Sequence, residues 1–327
     1  GEHEHLALCE RLLEESYGRQ YAGRYFSPED CAEVRNYAGQ ILAVYRRKLQ
    51  AVDWLSGATI EKAICKLDRM KLNIGYPSAW PDYLDTAAVL DPSVGGNLID
   101  NVLQLDRQRR REEIASIGQP VRRDIWRGMV PQTVNAFYYA ADNSINFPAG
   151  ILQAPLYDKK AEAMQNLGGI GMLIAHEITH SFDSSGAQYD ELGRIRNWWT
   201  LRDRQAYAKR QNAIAYFYTR YRFPDGSWEN GRRTLLEDTA DLGALSCLTD
   251  LAGGDKEKLQ RLYTSYAMTW RDKFTTAKFR TLLTDAHAIS AVRVNAVLSA
   301  TDAFYTAFDV KEGDGMYVEP KDRVNLW

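Results

Sequence analysis

Apolar positions recur at helical spacing along most of the chain, which predicts a mainly helical protein. Residues 6–17 are amphipathic, and residues 19–26 lead into a helix start at Ser27-Pro28-Glu29-Asp30. Ser27 is a good N-cap, proline suits the first helical position, and acids suit the positive end of the helix dipole. Val34, Tyr37, Ala38, Ile41, Leu42 and Tyr45 then hold one apolar stripe. A second stripe, Ile60, Ala63, Ile64, Leu67 and Met70, predicts a helix over 59–72 that Gly75 and Pro77 stop. Residues 76–97, rich in Pro, Asp, Ser and Gly, read as a connection. Residues 98–115 return to a charged helix, and its RQRRRE run reads as a solvated face. Further helices are predicted over 202–221, 256–273 and 288–307.

The period shortens to two once, within 134–153. Val134, Ala136 and Tyr138 alternate with Asn135 and Phe137, Ala141 to Ser144 reads as a turn, and Ile145-Asn146-Phe147 starts a second strand. A hairpin follows from this pattern. It is either a structural hairpin on the core or an edge strand that pairs with an extended peptide. Just downstream, the uncharged run 170–175 reads as a buried helix start, and His176-Glu177-Ile178-Thr179-His180 continues it.

On a helix, residues four apart share a face, so both imidazoles can reach one metal ion, with Glu177 one position round beside a metal-associated water. The chain has only five histidines, so two of the five sit on one helical face. A catalytic zinc needs a third protein ligand and one open position. Many residues could supply it. Glu237 stands out because Asp241 lies four residues on, so that one carboxylate can ligate while the other orients a ligand imidazole. Taken alone, each histidine reads equally as a satisfied core imidazole, and the acid pair as two solvated acids.

Composition narrows the alternatives. A length of 327 residues, 45% hydrophobic and 26% charged, is that of a soluble globular protein, and a net charge of −2 points to no nucleic-acid partner. No window is apolar for the ~20 residues a membrane helix needs, and no signal peptide is visible at the N-terminus. Cys9, Cys31, Cys65 and Cys247 are scattered without a CxxC pair, which argues against a cysteine-built zinc site and a disulfide framework. His3 and His5 read as part of a solvated tail.

From about Gly18 to Trp327 the chain resembles the catalytic half of the neprilysin family of zinc endopeptidases, as a bacterial member. The resemblance rests on Ile74-Gly75-Tyr76-Pro77, Val134-Asn135-Ala136-Phe137-Tyr138, Phe147-Pro148-Ala149-Gly150, Gly168-Gly169-Ile170-Gly171 before the HExxH motif, Glu237-x-x-x-Asp241, and the terminal Trp327. It implies an α+β, mainly helical fold: a thermolysin-like zincin (gluzincin) catalytic domain with a small sheet and an HExxH helix. Residues 81–327 would be that domain, and residues 1–80 a helical remnant of the family's N-terminal or linking region.

The resemblance implies one Zn²⁺ per chain held by His176, His180 and Glu237, with Asp241 behind a ligand imidazole and Glu177 as general base. It makes His287 the stabiliser of the oxyanion and Arg293 a donor of two parallel bonds to substrate. Asn135 and the Ala136 backbone would bind the peptide. Met172, Leu173 and Trp270, with Leu156 or Tyr157 opposite, would form an apolar pocket for the residue after the cut. Thr269 adds a polar group there. The implied reaction is hydrolysis of oligopeptides on the amino side of hydrophobic residues, with metal-activated water. The family's other lobe, which caps the cavity, is missing from this chain and would be its partner. A peptide-binding domain or fragment with impaired catalysis is the alternative, against which Glu177 argues. The lack of a disulfide framework favours a cytoplasmic over a secreted bacterial protein.

Overall fold

The computed structural model describes residues 13–120, 122, 124–126 and 128–327. His3, His5, Cys9 and most of the helix expected over 6–17 lie outside the described residues. Helix α1, Glu14–Tyr25, precedes α2, Pro28–Ala51. The start of α2 is a reciprocal cap: the Asp30 N–H donates to Ser27 Oγ at 3.2 Å, and the Ser27 N–H to Asp30 Oδ2 at 2.9 Å. Val34, Tyr37, Ala38, Ile41 and Tyr45 of its predicted stripe are buried.

Helix α3, Gly57–Asp68, stops four residues short of the predicted end. Strand β1, Lys71–Gly75, follows it. Only five residues long, β1 has too short an alternation to announce itself, and the Met70 that completes the helical stripe falls just before it. Gly75 closes it at φ +81, a conformation open mainly to glycine.

Two compact units divide the chain. The first comprises Gly1–Ala32, Asn73–Asn135 and Phe147–Leu152. It holds α1, the short α4 (Tyr83–Thr86) and α5 (Leu98–Ala115), the last capped by Asn97 Oδ1 on the Asp100 N–H. Its core gathers Ala22, Phe26, Ile74, Trp126 and Phe147, while α5 buries no residue.

The second unit comprises Glu33–Leu72, Ala136–Asn146 and Gln153–Trp327. These units cut the chain elsewhere than at residue 80. The sequence-predicted hairpin is present: β2, Phe137–Tyr139, pairs antiparallel with β3, Ser144–Pro148, through Phe137↔Asn146 and Tyr139↔Ser144. Asn143 turns it at φ 52. The sheet order β1-β3-β2 leaves β2 at an edge.

The metal-motif helix is longer than its apolar run suggested. Helix α6, Ala163–Asn166, runs through a π turn at Leu167–Gly171 into α7, Met172–His180. Next come α8 (Leu201–Tyr218), α9 (Leu235–Ala252) and α10 (Lys256–Thr269). The remaining helices are α11 (Thr276–Leu282), α12 (Ser290–Ala300) and α13 (Asp302–Phe308). One continuous helix was predicted over 288–307; the chain instead breaks at Thr301, whose extended backbone (ψ 113) separates α12 from α13. Nothing in the spacing marks α11.

Packing in this unit centres on α7 against α9. A Cβ at Gly243 would lie 2.8 Å from both Thr179 side-chain tips, so only glycine lets the two helices approach this closely. The buried Tyr45 hydroxyl donates to the Ala175 carbonyl at 2.8 Å and also meets Thr179 Oγ1, tying α2 to α7. No helix among the described residues is long and apolar enough to cross a membrane.

Candidate active site

Helices α7 and α9 bring His176, His180 and Glu237 to one point. The two Nε2 atoms are 3.0 Å apart, and Glu237 Oε2 lies 3.0 Å from His176 Nε2 and 3.4 Å from His180 Nε2. Ligand arms of ~2.1 Å at tetrahedral angles put neighbouring ligand atoms ~3.4 Å apart. Two imidazole nitrogens and one carboxylate oxygen at this separation therefore fit a zinc ion with little adjustment. The Glu177 carboxylate also lies within 4.8 Å of both imidazoles. Its Oε2, however, accepts the Tyr138 N–H at 2.7 Å, which ties it to strand β2.

Each imidazole is oriented from behind. His176 Nδ1 meets Asp241 Oδ1 at 2.7 Å, and His180 Nδ1 meets Asp183 Oδ2 at 2.7 Å. Such bonds direct Nε2 towards a metal and raise ligand basicity. Burial opposes charge on His180, yet Asp183, Glu237 and Glu177 outweigh it and raise its pKa to about 11. His176 shifts the same way against burial, driven by Asp241 and Glu237. Burial would raise the Glu237 carboxyl too, but hydrogen bonds from His176, His180 and His287 hold it far below the carboxylate range.

Asp183 was not singled out in the sequence, although it lies three residues beyond His180, where one helical turn returns to the same face. Its Oδ1 also accepts the N–H groups of Ser185 and Gly186, both at 2.7 Å. That loop is fastened by Lys66 of α3. The buried ammonium donates to the carbonyls of Ser181, Gly186 and Tyr189 at 2.9, 2.7 and 2.8 Å. Burial pulls the Lys66 pKa down to about 7 against Asp183, Asp190 and Glu191. No local pattern marks Lys66, because its role depends on contacts more than a hundred residues away.

Arg293, on α12, spends the two parallel bonds foreseen for substrate on Asp241 instead: Nε and Nη2 each donate at 2.7 Å. Its guanidinium lies 3.8 Å from the Trp270 ring centroid. Of five N–H donors, three remain on the outer edge. The Arg293 and His176 charges outweigh burial and lower the Asp241 pKa to about 2. His287 is half exposed; its Nε2 sits 3.2 Å from Glu237 Oε2, and its Nδ1 2.8 Å from Asp285 Oδ1.

The Tyr138 N–H points at Glu177, away from β3. Alternate strand residues turn their backbone groups to the same side, so Ala136 faces that free edge with Tyr138. Asn135 is exposed and belongs to the other compact unit. Met172 is buried and Leu173 half-buried. The Thr269 hydroxyl, expected as a polar intrusion, donates to the Ser265 carbonyl of its own helix at 3.0 Å.

The sequence profile of peptidase family M13 matches residues 135–324, and the profile of that family's N-terminal region matches residues 2–77. The chain belongs to peptidase family M13. It is 36% identical over 98% of its length to a neutral endopeptidase of Lactobacillus helveticus, of which it covers 49%. Among solved structures of M13 relatives, it superposes on PepO from Lactobacillus rhamnosis HN001 with TM-score 0.86 at 37% identity, covering 98% of this chain and 51% of that one. The open state of the Mycobacterium tuberculosis zinc metalloprotease Zmp1 gives TM-score 0.89 at 34% identity, with 98% and 52% covered. This M13 chain thus spans about half the length of the curated relatives it matches. The α+β, mainly helical fold with its small sheet and HExxH helix is the fold class the resemblance implied.

Proposed function

We propose that the protein is a zinc-dependent endopeptidase that cleaves oligopeptides on the amino side of hydrophobic residues, with one zinc per chain. The observation that carries this reading is the triangle of His176 Nε2, His180 Nε2 and Glu237 Oε2, with edges of 3.0 to 3.4 Å. A zinc ion there would supply a Lewis acid for the scissile carbonyl and for water.

The chain's own residues do the rest. The free edge of β2 at Ala136 offers an N–H and a C=O to an extended peptide, with Asn135 beside it. Glu177 takes the proton from the attacking water and passes it to the leaving amine. Its bond to the Tyr138 N–H links the position of that base to the strand on which the peptide lies. His287, held by Asp285, donates to the oxyanion. Arg293 positions Asp241, and through it His176, and keeps its outer donors for a substrate carbonyl. With the Thr269 hydroxyl satisfied, Met172, Leu173 and Trp270 offer an apolar wall to the residue after the cut.

Residues 81–327 carry this chemistry in our reading, with 33–72 packed into the same unit as α7. In the longer protein, the lobe that this chain lacks restricts access to short peptides. The test is Glu177→Gln in the complete protein: zinc content stays at that of wild type while kcat for a Leu-containing peptide falls by at least ~10²-fold. Retained zinc with unchanged turnover would support a peptide-binding domain instead. Equal rates for Leu, Ala and Asp after the cut would remove the proposed preference.

A further inference from the structure

One buried side chain reaches both the loop behind His180 and the strand that holds Glu177. Lys66, on α3, is 1% exposed, and the carbonyls of Ser181, Gly186 and Tyr189 take all three donors of its ammonium. Ser181 follows His180 directly, and the Gly186 N–H is one of the two that hold Asp183 Oδ1. The Tyr189 carbonyl is shared: it also accepts Trp198 Nε1–H at 3.0 Å. The chain from Ser181 to Trp198 is thus gathered round one positive charge.

The same residue grips the β2–β3 hairpin. The ring centroids of Tyr138 and Trp198 each lie 5.7 Å from Lys66 Nζ, so the ammonium faces two aromatic rings. The Tyr138 hydroxyl donates to Asn143 Oδ1 at 3.1 Å, and Asn143 Nδ2 donates to the Lys66 carbonyl at 2.9 Å. Asn143 is the buried residue that turns β2 into β3. Lys66 therefore holds the hairpin twice, by its charge at the Tyr138 ring and by its own carbonyl at the turn. All of these residues belong to the unit that carries α7. A buried charge contributes little net stability, because its desolvation offsets its bonds. What this one adds is geometry: three donors fix the loop, and the same charge meets the strand.

We propose that Lys66 is a positioning residue of the peptidase site: one side chain fixes both the loop that orients His180 and the strand along which the peptide lies. This role rests on the peptidase reading above and gives it a residue that touches neither zinc nor substrate. Its two arms act on different quantities. The Asp183 arm sets zinc affinity through His180. The Tyr138–Asn143 arm sets KM through the free edge of β2.

The test measures zinc affinity by chelator competition, and KM for a Leu-containing peptide, in the complete protein. Lys66→Met keeps an unbranched stem and removes the charge. It should weaken zinc about tenfold and raise KM about tenfold. In an Asp183→Ala background, Lys66→Met should cost less than about a further twofold in zinc affinity, because the route to His180 is already cut. Asn143→Gly, which suits the left-handed turn, should raise KM about threefold and leave zinc affinity within about twofold. A merely structural role would lower the amount of folded protein and leave both constants of the folded molecules as they were. The proposal fails if folded Lys66→Met keeps both constants within about twofold of wild type, or if its zinc loss adds in full to that of Asp183→Ala. If Lys66→Met does not fold, Asn143→Gly decides, and an unchanged KM overturns the proposal. A wild type that binds zinc without cleaving peptide would strike the peptidase reading instead; the zinc comparison needs no turnover and still decides the role of Lys66.

Discussion

The triad on α7 and α9 and the side chains of Trp199 and Tyr207 at α8 are both buried, yet their polar atoms are satisfied in different ways. Around the triad, named bonds connect one group to the next: Asp241 holds His176 and is held by Arg293, Asp183 holds His180, and Lys66 holds the Asp183 loop. At α8, Trp199 Nε1 ends without a partner among the described residues, and the Tyr207 hydroxyl has only the Gln211 side chain. A paired network is already committed to one geometry; an unpaired buried donor leaves a cost that the fold carries. Polar groups in the same unit thus form a preorganised centre in one place and an incompletely paired core in the other.

The largest effect that sharpens this contrast is on zinc affinity. Asp183→Ala removes the support of His180, and zinc affinity should fall ~10- to 100-fold. Competition with a chromophoric chelator measures it, and an unchanged constant would mean that the bond at 2.7 Å does not orient the ligand.

Next in size is proton release. With its folded pKa raised to about 11, His180 carries a proton in the zinc-free protein at neutral pH, and a metal ligand must be neutral. Zinc uptake at pH 7 should therefore expel at least about one proton, that of His180, read from calorimetry in buffers of different ionisation enthalpy. Zinc affinity accordingly rises with pH. Uptake without buffer dependence would contradict the coupling.

A smaller effect concerns acid stability of the zinc-free protein. The Asp241 pKa is lowered from 3.8 to about 2, so the unfolded state takes up the proton first as pH falls. Its contribution is complete above pH 3.8 and is lost on acidification through about 2. That is about 2 kcal/mol, measurable as the pH dependence of the urea midpoint. Asp241→Asn should flatten this part of the curve; an unaltered slope would break the link.

The smallest change belongs to Tyr207 of α8. Tyr207→Phe removes a buried hydroxyl whose one polar neighbour is the Gln211 side chain, so stability should change by no more than ~1 kcal/mol, less than a loss within the paired network. A larger loss in thermal unfolding would show that the Tyr207–Gln211 contact belongs with the paired network.

The sequence made the chemistry more legible than the network around it. HExxH spacing and the Glu237–Asp241 pair are local periodicities, and local periodicity is what a single sequence displays. The capped start of α2, the hairpin and most helices were readable for the same reason. Strand β1 and the break at Thr301 were not: a five-residue strand has too little alternation, and the break lies inside an otherwise apolar run. Lys66 and the Arg293–Asp241 pair were hidden more deeply. Their roles come from contacts 115 and 52 residues away in sequence, which no spacing rule reaches. The unpaired Trp199 Nε1 was invisible because an unmade bond exists only in three dimensions.

The central claim is that Glu237, sixty-one residues beyond His176, completes the zinc site, and that Glu177, next to His176, does not. Zinc per chain, measured by mass spectrometry after dialysis on wild type, Glu177→Gln and Glu237→Ala, tests it most directly. One zinc in wild type and in Glu177→Gln, with almost none in Glu237→Ala, is the predicted result. Full zinc in Glu237→Ala, or its loss from Glu177→Gln, would contradict the account.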